Sequence, residues 1–588
     1  MSVLGRRVDG YVEVLQPDGS VERRIHQFHG CWWHSCITCF PPTAESGENN
    51  RYENTKRLTA LFRKAGYTVI EKWECEFRKE PESDPEVKAY FEAHPTTRTP
   101  PLNLRDALAG GRTSALMCYL KADLTKGEKI KMVDVVSEYP NANLRDRYPY
   151  GHPTIYVEGD PEIPPVNRWN GVVKCTVLPP QDLYVPVLPY KTGGKLMFPL
   201  CRTCAETESK ELCLHTDPAL HHITGTWCAP EIQLAVLQKG YQLLAVHEVY
   251  QYPGTMQYDQ ETGEDGLLSA YVRCFMALKI QASGWPTGCD TEEQRQQYVA
   301  DVLKYDGITI DPSKVKKNPA LRTLAKLICN SFWGKLGEKS LHSKTLLIYN
   351  YGDLMDIVAD PLKEVSGLLP LSEECLQATW KPNEVTEQTL PTMSLVHAAF
   401  TTCLGRLQLY SYLDIVKKRG AYHDTDSLAY LSRPGEPDLP LGTHLGDLTD
   451  QVEEDYGPGS FIIEFVAGGP KNYAYKVAVG GDPNNIRVCI KVRGITINIS
   501  CDDLITFQNL ESLVMGTRHS ITVPISRQIA RLPKWKIVTR FTSKKWQAVN
   551  TKRRRVDMEH TVPHGYNAWA DEPKEDQEML EAMDILME

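Results

Sequence analysis

With 588 residues, 41% of them hydrophobic and 24% charged, the chain has the make-up of a globular protein large enough for several compact units. It has no run of about 18 consecutive apolar residues, and MSVLGRRVDGYVEV lacks an apolar leader, so an intracellular protein without a membrane partner is expected. The formal net charge of −9 argues weakly against nucleic acid. Between Lys491 and Arg555, however, fourteen Lys/Arg stand against three Asp/Glu before the tail turns acidic, and a local basic face is suited to tracking phosphates.

In chain order, the first module is expected to span 1–95, ending at the connector HPTTRTPPLN. Within it, TKRLTALFRKAGYTVIEKWECEF predicts an amphipathic helix, a glycine turn and a strand, the grammar of an α/β layer. The chain has 17 cysteines, several in tight clusters that suit metal ligation in a reducing compartment better than a disulfide framework. One cluster, HGCWWHSCITC, offers Cys31, His34, Cys36 and Cys39 beside His29 as candidate zinc ligands; the alternative is free thiols.

Residues 96–175 are expected to contain an apolar strand, Lys131–Val136, that places Asp134 at a sheet edge before Pro140 ends the extended run. Taken alone, Asp134 reads as a turn aspartate. Residues 176–265, rich in Pro, Gly, Cys and His, read as an irregular insertion. Its Cys201, Cys204, Cys213 and His215 have spacings that fit tetrahedral zinc, with buried or free thiols as the alternative.

A helix predicted over Leu321–Phe332, within 266–340, puts Arg322, Lys326 and Asn330 on one face at i, i+4, i+8. Leu324, Leu327, Ile328 and Phe332 are expected to cover much of the rest. Such a cationic face suits a triphosphate and equally suits solvent. Residues 341–390 read as a second insertion without periodicity.

Residues 391–480 should hold a helix over His397–Leu413, a hairpin AYHDTDSLAY with Asp424 and Asp426 at its tip, and a strand over Phe461–Val466. Two carboxylates on one turn repel each other unless a cation is bound, and magnesium prefers such oxygen ligands. In 481–588, IARLPKWKIVTRFTSKKWQAVNTKRRR interleaves cations with Trp535, Phe541 and Trp546, a design for non-specific phosphate contact or for packing. Lys552–Arg555 is also a candidate nuclear-import patch. Two separated aspartate sites and a Lys/Arg helix are together the parts of two-metal phosphoryl transfer.

These segments match a known family. DVVSEYP resembles motif A (DxxSLYP) of the family B DNA polymerases, KLICNSFWG resembles motif B (KxxxNSxYG), and YHDTDS resembles motif C (YxDTDS). Lys471-Asn472-Tyr473 looks like the KxY motif, and LAGGRT, with Gly110 and Gly111, looks like the template-strand motif. The resemblance implies an α+β right-hand polymerase of palm, fingers and thumb. It assigns two Mg2+ ions to Asp134, Asp424 and Asp426. It puts Tyr139 under the incoming sugar, Arg322 and Lys326 on the triphosphate, Asn330 and Trp333 along the nascent pair, and Lys471 and Tyr473 on the primer. Glu138 and Trp333 depart from the leucine and tyrosine usual in motifs A and B.

The gaps between motifs resemble the protein-primed branch, and FHGCWWHSC, RDALAGGRT and FPLCRTC look most like polymerases of Polinton or Maverick elements, viruses and linear plasmids. The implied partners are primer-template DNA, deoxynucleotides and a terminal protein. The first module resembles the very-short-patch-repair endonucleases, a small restriction-endonuclease-like α/β fold, with Asp9 at their catalytic aspartate and Gln27 at a second acidic position. No room for a proofreading exonuclease is expected. The alternatives are a decayed mobile-element DNA-binding protein and a nuclease acting through the first module.

Overall fold

The computed structural model describes residues 2–31, 33–39, 50–80, 84–93, 100–339, 342–360, 363–382, 392–497, 501–532 and 536–568. It forms two compact units, one from residues 1–101, 341–368 and 377–387, the other from 102–340, 369–376 and 388–588.

In the first unit β1 (Gly10–Leu15) and β2 (Val21–His29) form an antiparallel hairpin. Helix α1 (Asn50–Lys64) then leads to β3 (Thr68–Trp73), which lies parallel to β2. Gly66, at φ +88°, makes the reversal between helix and strand, a conformation that favours glycine. Phe62 of α1 is fully buried with Ile25 and Val69. This is the helix, turn and strand that the sequence predicts.

The second unit opens with β4 (Thr113–Ala115), β5 (Tyr119–Lys121), β6 (Lys129–Val135) and α2 (Glu138–Arg145). There follow β7 (Thr154–Val157), β8 (Gly171–Leu178), β9 (Ile223–Cys228), α3 (Ala229–Gln238) and β10 (Gln242–Gln251). The four strands make one sheet in the order β7-β10-β8-β9. Strands β9 and β10 lie wholly in the stretch 176–265, expected to be irregular. Val173, Cys175, Val177, Ile223, Trp227 and Val249 in fact join the largest apolar cluster of the molecule. Proline- and cysteine-rich loops between the strands hide their pattern in the sequence.

Helices α4 (Ser269–Ser283) and α5 (Pro319–Leu336) come next. Asn318 caps α5 by accepting the Leu321 N–H, and Pro319 occupies its first turn, where a missing N–H costs nothing. Only Ala325 and Cys329 of α5 are fully buried; Leu324 and Leu327 are 51% and 62% exposed, against the expectation that they cover the helix. Residues 341–390, expected to lack periodicity, supply three strands that belong mostly to the first unit, β11 (Lys344–Ile348), β12 (Lys363–Pro370) and β13 (Leu376–Pro382), in the order β11-β13-β12.

Helix α6 (Leu395–Val416) is buried on most of its circumference, as its nearly continuous apolar composition requires. It leads into β14 (Gly420–Asp424), β15 (Ser427–Ser432), β16 (Leu448–Asp450), β17 (Phe461–Ala467), β18 (Tyr473–Ala478) and β19 (Ile486–Lys491). These close a central sheet ordered β19-β18-β17-β6-β15-β14-β4, with β16 paired to β6 and β5 to β17. Helix α7 (Phe507–Val514) and a long hairpin, β20 (Ile521–Arg531) and β21 (Ile537–Trp546), complete the unit.

Candidate active site

The central sheet brings distant carboxylates together. Strands β6 and β15 pair antiparallel with Asp134 opposite Ser427, and the Val135 N–H donates to the Asp426 carbonyl at 2.8 Å. Asp134, near the end of β6, and Asp426, in the β14–β15 turn, are therefore neighbours although almost 300 residues apart in sequence. Burial, and then the charge of Asp426, push Asp134 up to about 7; burial and the neighbouring Asp424 also raise Asp426. Two half-buried carboxylates that repel each other are a site in want of a cation.

Asp424 behaves differently. It accepts hydrogen bonds from Thr113 Oγ1 at 2.8 Å and from Lys471, whose Nζ lies 2.9 Å from Oδ2. The tip is rigid. Thr425 takes φ +63°, its N–H donates to the Arg112 carbonyl at 2.8 Å, and a Cβ on Gly111 would fall 2.5 Å from Thr425 Oγ1. Glycine at 111 is thus required for the loop carrying Gly110 to close on the acidic turn. Arg406 of α6 fixes that loop from behind. It donates to the Ala109 and Gly110 carbonyls at 2.6 and 3.0 Å and pairs with Glu231 of α3 at 2.8 Å.

Motif A and motif B side chains meet at Tyr139 and Trp333, whose ring centroids lie 5.0 Å apart. Arg322, Lys326 and Asn330 line the exposed face of α5, as the spacing predicts. Lys326 is within electrostatic reach of both Asp134 and Asp426. A third cation joins them that sequence reading missed. Lys279 of α4 donates to Ser137 Oγ at 2.7 Å, and burial, then Arg322 and Lys326, pull its ammonium down. Its signal in VRCFMALKIQ is one lysine in an apolar helix.

Glu138 also proves unusual. It is 3% exposed, its Oε1 has no hydrogen-bond partner among the described residues, and its carboxyl lies against Gly405. Burial, and then Asp426 and Asp134, hold it up at about 9. The neutral acid occupies the place of an apolar side chain, and adds no charge beneath Asp134 at neutral pH.

Lys471, at φ +58°, presents its backbone N–H to the Tyr422 hydroxyl at 2.9 Å, and the rings of Tyr422 and Tyr473 lie 4.8 Å apart. Asn472 accepts the Trp546 indole N–H at 2.9 Å. Trp546 is thereby packing, whereas Phe541 on the same hairpin is 70% exposed; Trp535 lies outside the described residues. The stretch Lys552–Arg555, expected as a nuclear-import patch, is not one in the fold. Arg553 and Arg554 are buried and do not form an exposed basic run.

Both cysteine clusters assemble. Cys201, Cys204 and Cys213 each place Sγ 3.4–3.5 Å from His215 Nδ1. A tetrahedral centre with Zn–S of about 2.3 Å and Zn–N of about 2.0 Å has S···N edges of about 3.5 Å, so the donors fit. In the first unit the cluster is Cys31, Cys36, Cys39 and Cys75. Cys75, just beyond β3, stands where the sequence suggests His34, and its Sγ is 3.8 Å from that of Cys36, close to the edge of about 3.8 Å in a four-sulfur zinc centre. His34 instead pairs its Nδ1 with Thr55 Oγ1 at 2.8 Å, and its ring lies 4.8 Å from that of His29, tilted by 60°.

Residues 92–284 match the family described as DNA polymerase type B, organellar and viral. The matched segment includes Gly110, Gly111 and Asp134. No curated protein matches the chain. Among solved structures it is similar to Phi29 DNA polymerase complexed with primer-template DNA and incoming nucleotide substrates, with 15% identity, TM-score 0.46, and coverage of 87% of this chain and 74% of that one. It is also similar to the post-translocation binary complex with primer-template DNA and to the complex with single-stranded DNA. Each of these has 14% identity and TM-score 0.47, covering 85% of this chain and 71% of the other.

Proposed function

We propose that the second unit is a right-hand DNA-directed DNA polymerase of the protein-primed type, which extends a primer 3′-hydroxyl with deoxynucleotides. The observation that carries the reading is the pair Asp134 and Asp426, brought together by β6 and β15 under mutual repulsion with Lys326 across from them. Asp134 and Asp426, with Asp424 beside them, would hold two Mg2+ ions. When bound, such ions lower the pKa of the attacking hydroxyl and neutralise charge on the departing pyrophosphate.

The side chains supply the rest. Arg322, Lys326 and Lys279 neutralise the triphosphate, Tyr139 excludes a ribose 2′-hydroxyl by its ring, and Trp333 with Asn330 bounds the nascent pair. Gly110 and Gly111 let the backbone come close to the template, while Lys471 and Tyr473 hold the primer end. Before DNA arrives, Lys471 guards Asp424; a primer phosphate would draw it away. The two cysteine clusters hold structural Zn2+.

The first unit serves as a restriction-endonuclease-like binding or scaffolding module. Asp9 accepts the Phe28 N–H at 2.7 Å, and Gln27 sits beside Glu71, so the carboxylates there are already engaged. The deciding experiment is primer extension by the purified protein on a defined template with and without magnesium. Extension absent in both conditions would refute the proposal.

A further inference from the structure

Past its long hairpin, the chain returns to the central sheet as a strap, residues 551–567. Thr561 donates its N–H to the Leu116 carbonyl at 3.0 Å and its hydroxyl to the Ala115 carbonyl at 2.9 Å. Arg553 donates to Thr561, and His564 Nε2 sits 3.1 Å from the Thr551 carbonyl, which closes the strap on itself. Its far end meets the Cys201–His215 cluster. The Leu200 N–H donates to the His564 carbonyl at 2.7 Å, and Gly565, at φ +95°, lies so close that a Cβ there would fall 2.4 Å from the Cys201 nitrogen.

Gln181 links the two. It donates to the His215 carbonyl at 3.2 Å and to Cys213 Sγ at 3.4 Å, and its side-chain oxygen accepts from Asn567 at 2.6 Å. The strap also carries a cation without an evident mate. Arg554 is 8% exposed, its Nε and Nη2 have no hydrogen-bond partner among the described residues, and it lies within electrostatic reach of Cys204 and Cys213. A Zn2+ held by three thiolates and a neutral imidazole carries one net negative charge. A buried guanidinium is the natural counter-charge for it.

We propose that the Cys201–Cys204–Cys213–His215 centre is a zinc clamp that holds the far end of the strap, which Thr561 ties to the central sheet, with Arg554 as the residue that neutralises the metallated cluster. The proposal rests on the zinc reading of these four ligands. Its reach extends to the catalytic face, because Lys552 at the start of the strap donates to the Thr113 carbonyl at 3.2 Å, and the Thr113 hydroxyl holds Asp424 at 2.8 Å. Arg554 is a positioning residue in this scheme, with no contact to substrate.

The test uses the full-length protein, zinc analysis by mass spectrometry, and hydrogen exchange of peptides covering 551–567. Cys213→Ser should lower bound zinc by one equivalent and raise exchange in the strap at least tenfold, leaving exchange in β1–β3 unchanged. Arg554→Met, which keeps all four ligands, should weaken zinc retention against a chelator by about 10-fold, the size of effect typical of groups that support metal ligands. If Cys213→Ser is insoluble, chelator titration of the wild-type protein gives the same exchange readout. A zinc content that Cys213→Ser does not change overturns the zinc reading itself. Loss of one zinc with an unaltered strap overturns the clamp alone, and unaltered retention in Arg554→Met overturns the counter-charge.

Discussion

Glu71 in the first unit and the Asp134–Asp426 pair in the second are both carboxylates set on sheets, and they have opposite surroundings. Glu71 is enclosed by Arg63 at 2.8 Å, His29 at 3.2 Å, Lys56 at 3.5 Å and the Thr59 hydroxyl at 2.9 Å. Burial pushes its carboxyl up, but those donors bring it below the ordinary value. Asp134 and Asp426 face each other with cations only at a distance and are pushed up. A carboxylate already neutralised by the protein has little left to offer a metal ion. A strained pair has every reason to take one, and this contrast is why the proposed phosphoryl-transfer chemistry is assigned to the second unit.

The largest effect that can break the contrast is at Asp426. On the proposed reading, Asp426→Asn should reduce primer extension by about 1,000-fold or more, because an amide cannot replace a carboxylate that would hold the metal ions. The same change relieves repulsion, so the melting temperature of the metal-free protein should hold or rise in differential scanning fluorimetry. A melting temperature that falls by several degrees would show that Asp426 serves the fold, and not a cation.

Next in size, Tyr139→Ala should cut the preference for deoxy- over ribonucleotides by about 10- to 100-fold in competition assays, since on the proposed reading the ring opposes the 2′-hydroxyl. Trp333, 5.0 Å away, limits how far the ring can retreat. Retained discrimination would mean that another side chain closes the sugar pocket. Smaller still, Lys279→Ala should raise KM for the nucleotide by about tenfold and leave kcat within about twofold, the signature of a lost phosphate contact. An unchanged KM would confine Lys279 to its hydrogen bond with Ser137.

The residues that the sequence makes legible are those whose local pattern carries the chemistry. The DTD turn reads as a hairpin tip because aromatic and apolar residues flank it, and Arg322, Lys326 and Asn330 share a face because helical spacing demands it. Partners chosen by tertiary contact leave no such trace. Lys279, Arg406 with Glu231, Cys75 in place of His34, and Arg554 each meet their neighbours across more than 35 residues of chain, through sheet register or helix packing. The strands around 171–251 are hidden for a related reason: their apolar alternation is interrupted by the loops that carry the zinc ligands.

The smallest effect probes the other half of the contrast. Glu71→Gln keeps the shape and removes the charge, leaving His29 buried and Lys56 and Arg63 partly solvated. The expected loss is about 1–2 kcal/mol in the first unit, because both cationic partners, Lys56 and Arg63, already have water to turn to. The sign of its pH dependence comes from the lowered carboxyl. That stabilisation is present above the unfolded value near 4.5 and disappears as pH falls through the lower folded value. Hydrogen exchange in β3 should therefore separate wild type from Glu71→Gln by a constant factor at pH 6–8, and the gap should close in urea unfolding carried out towards pH 3. Primer extension should be the same in both proteins. A gap that persists in acid would mean that the amide itself disturbs the packing, and a fall in extension would mean that the two carboxylate sites are not independent.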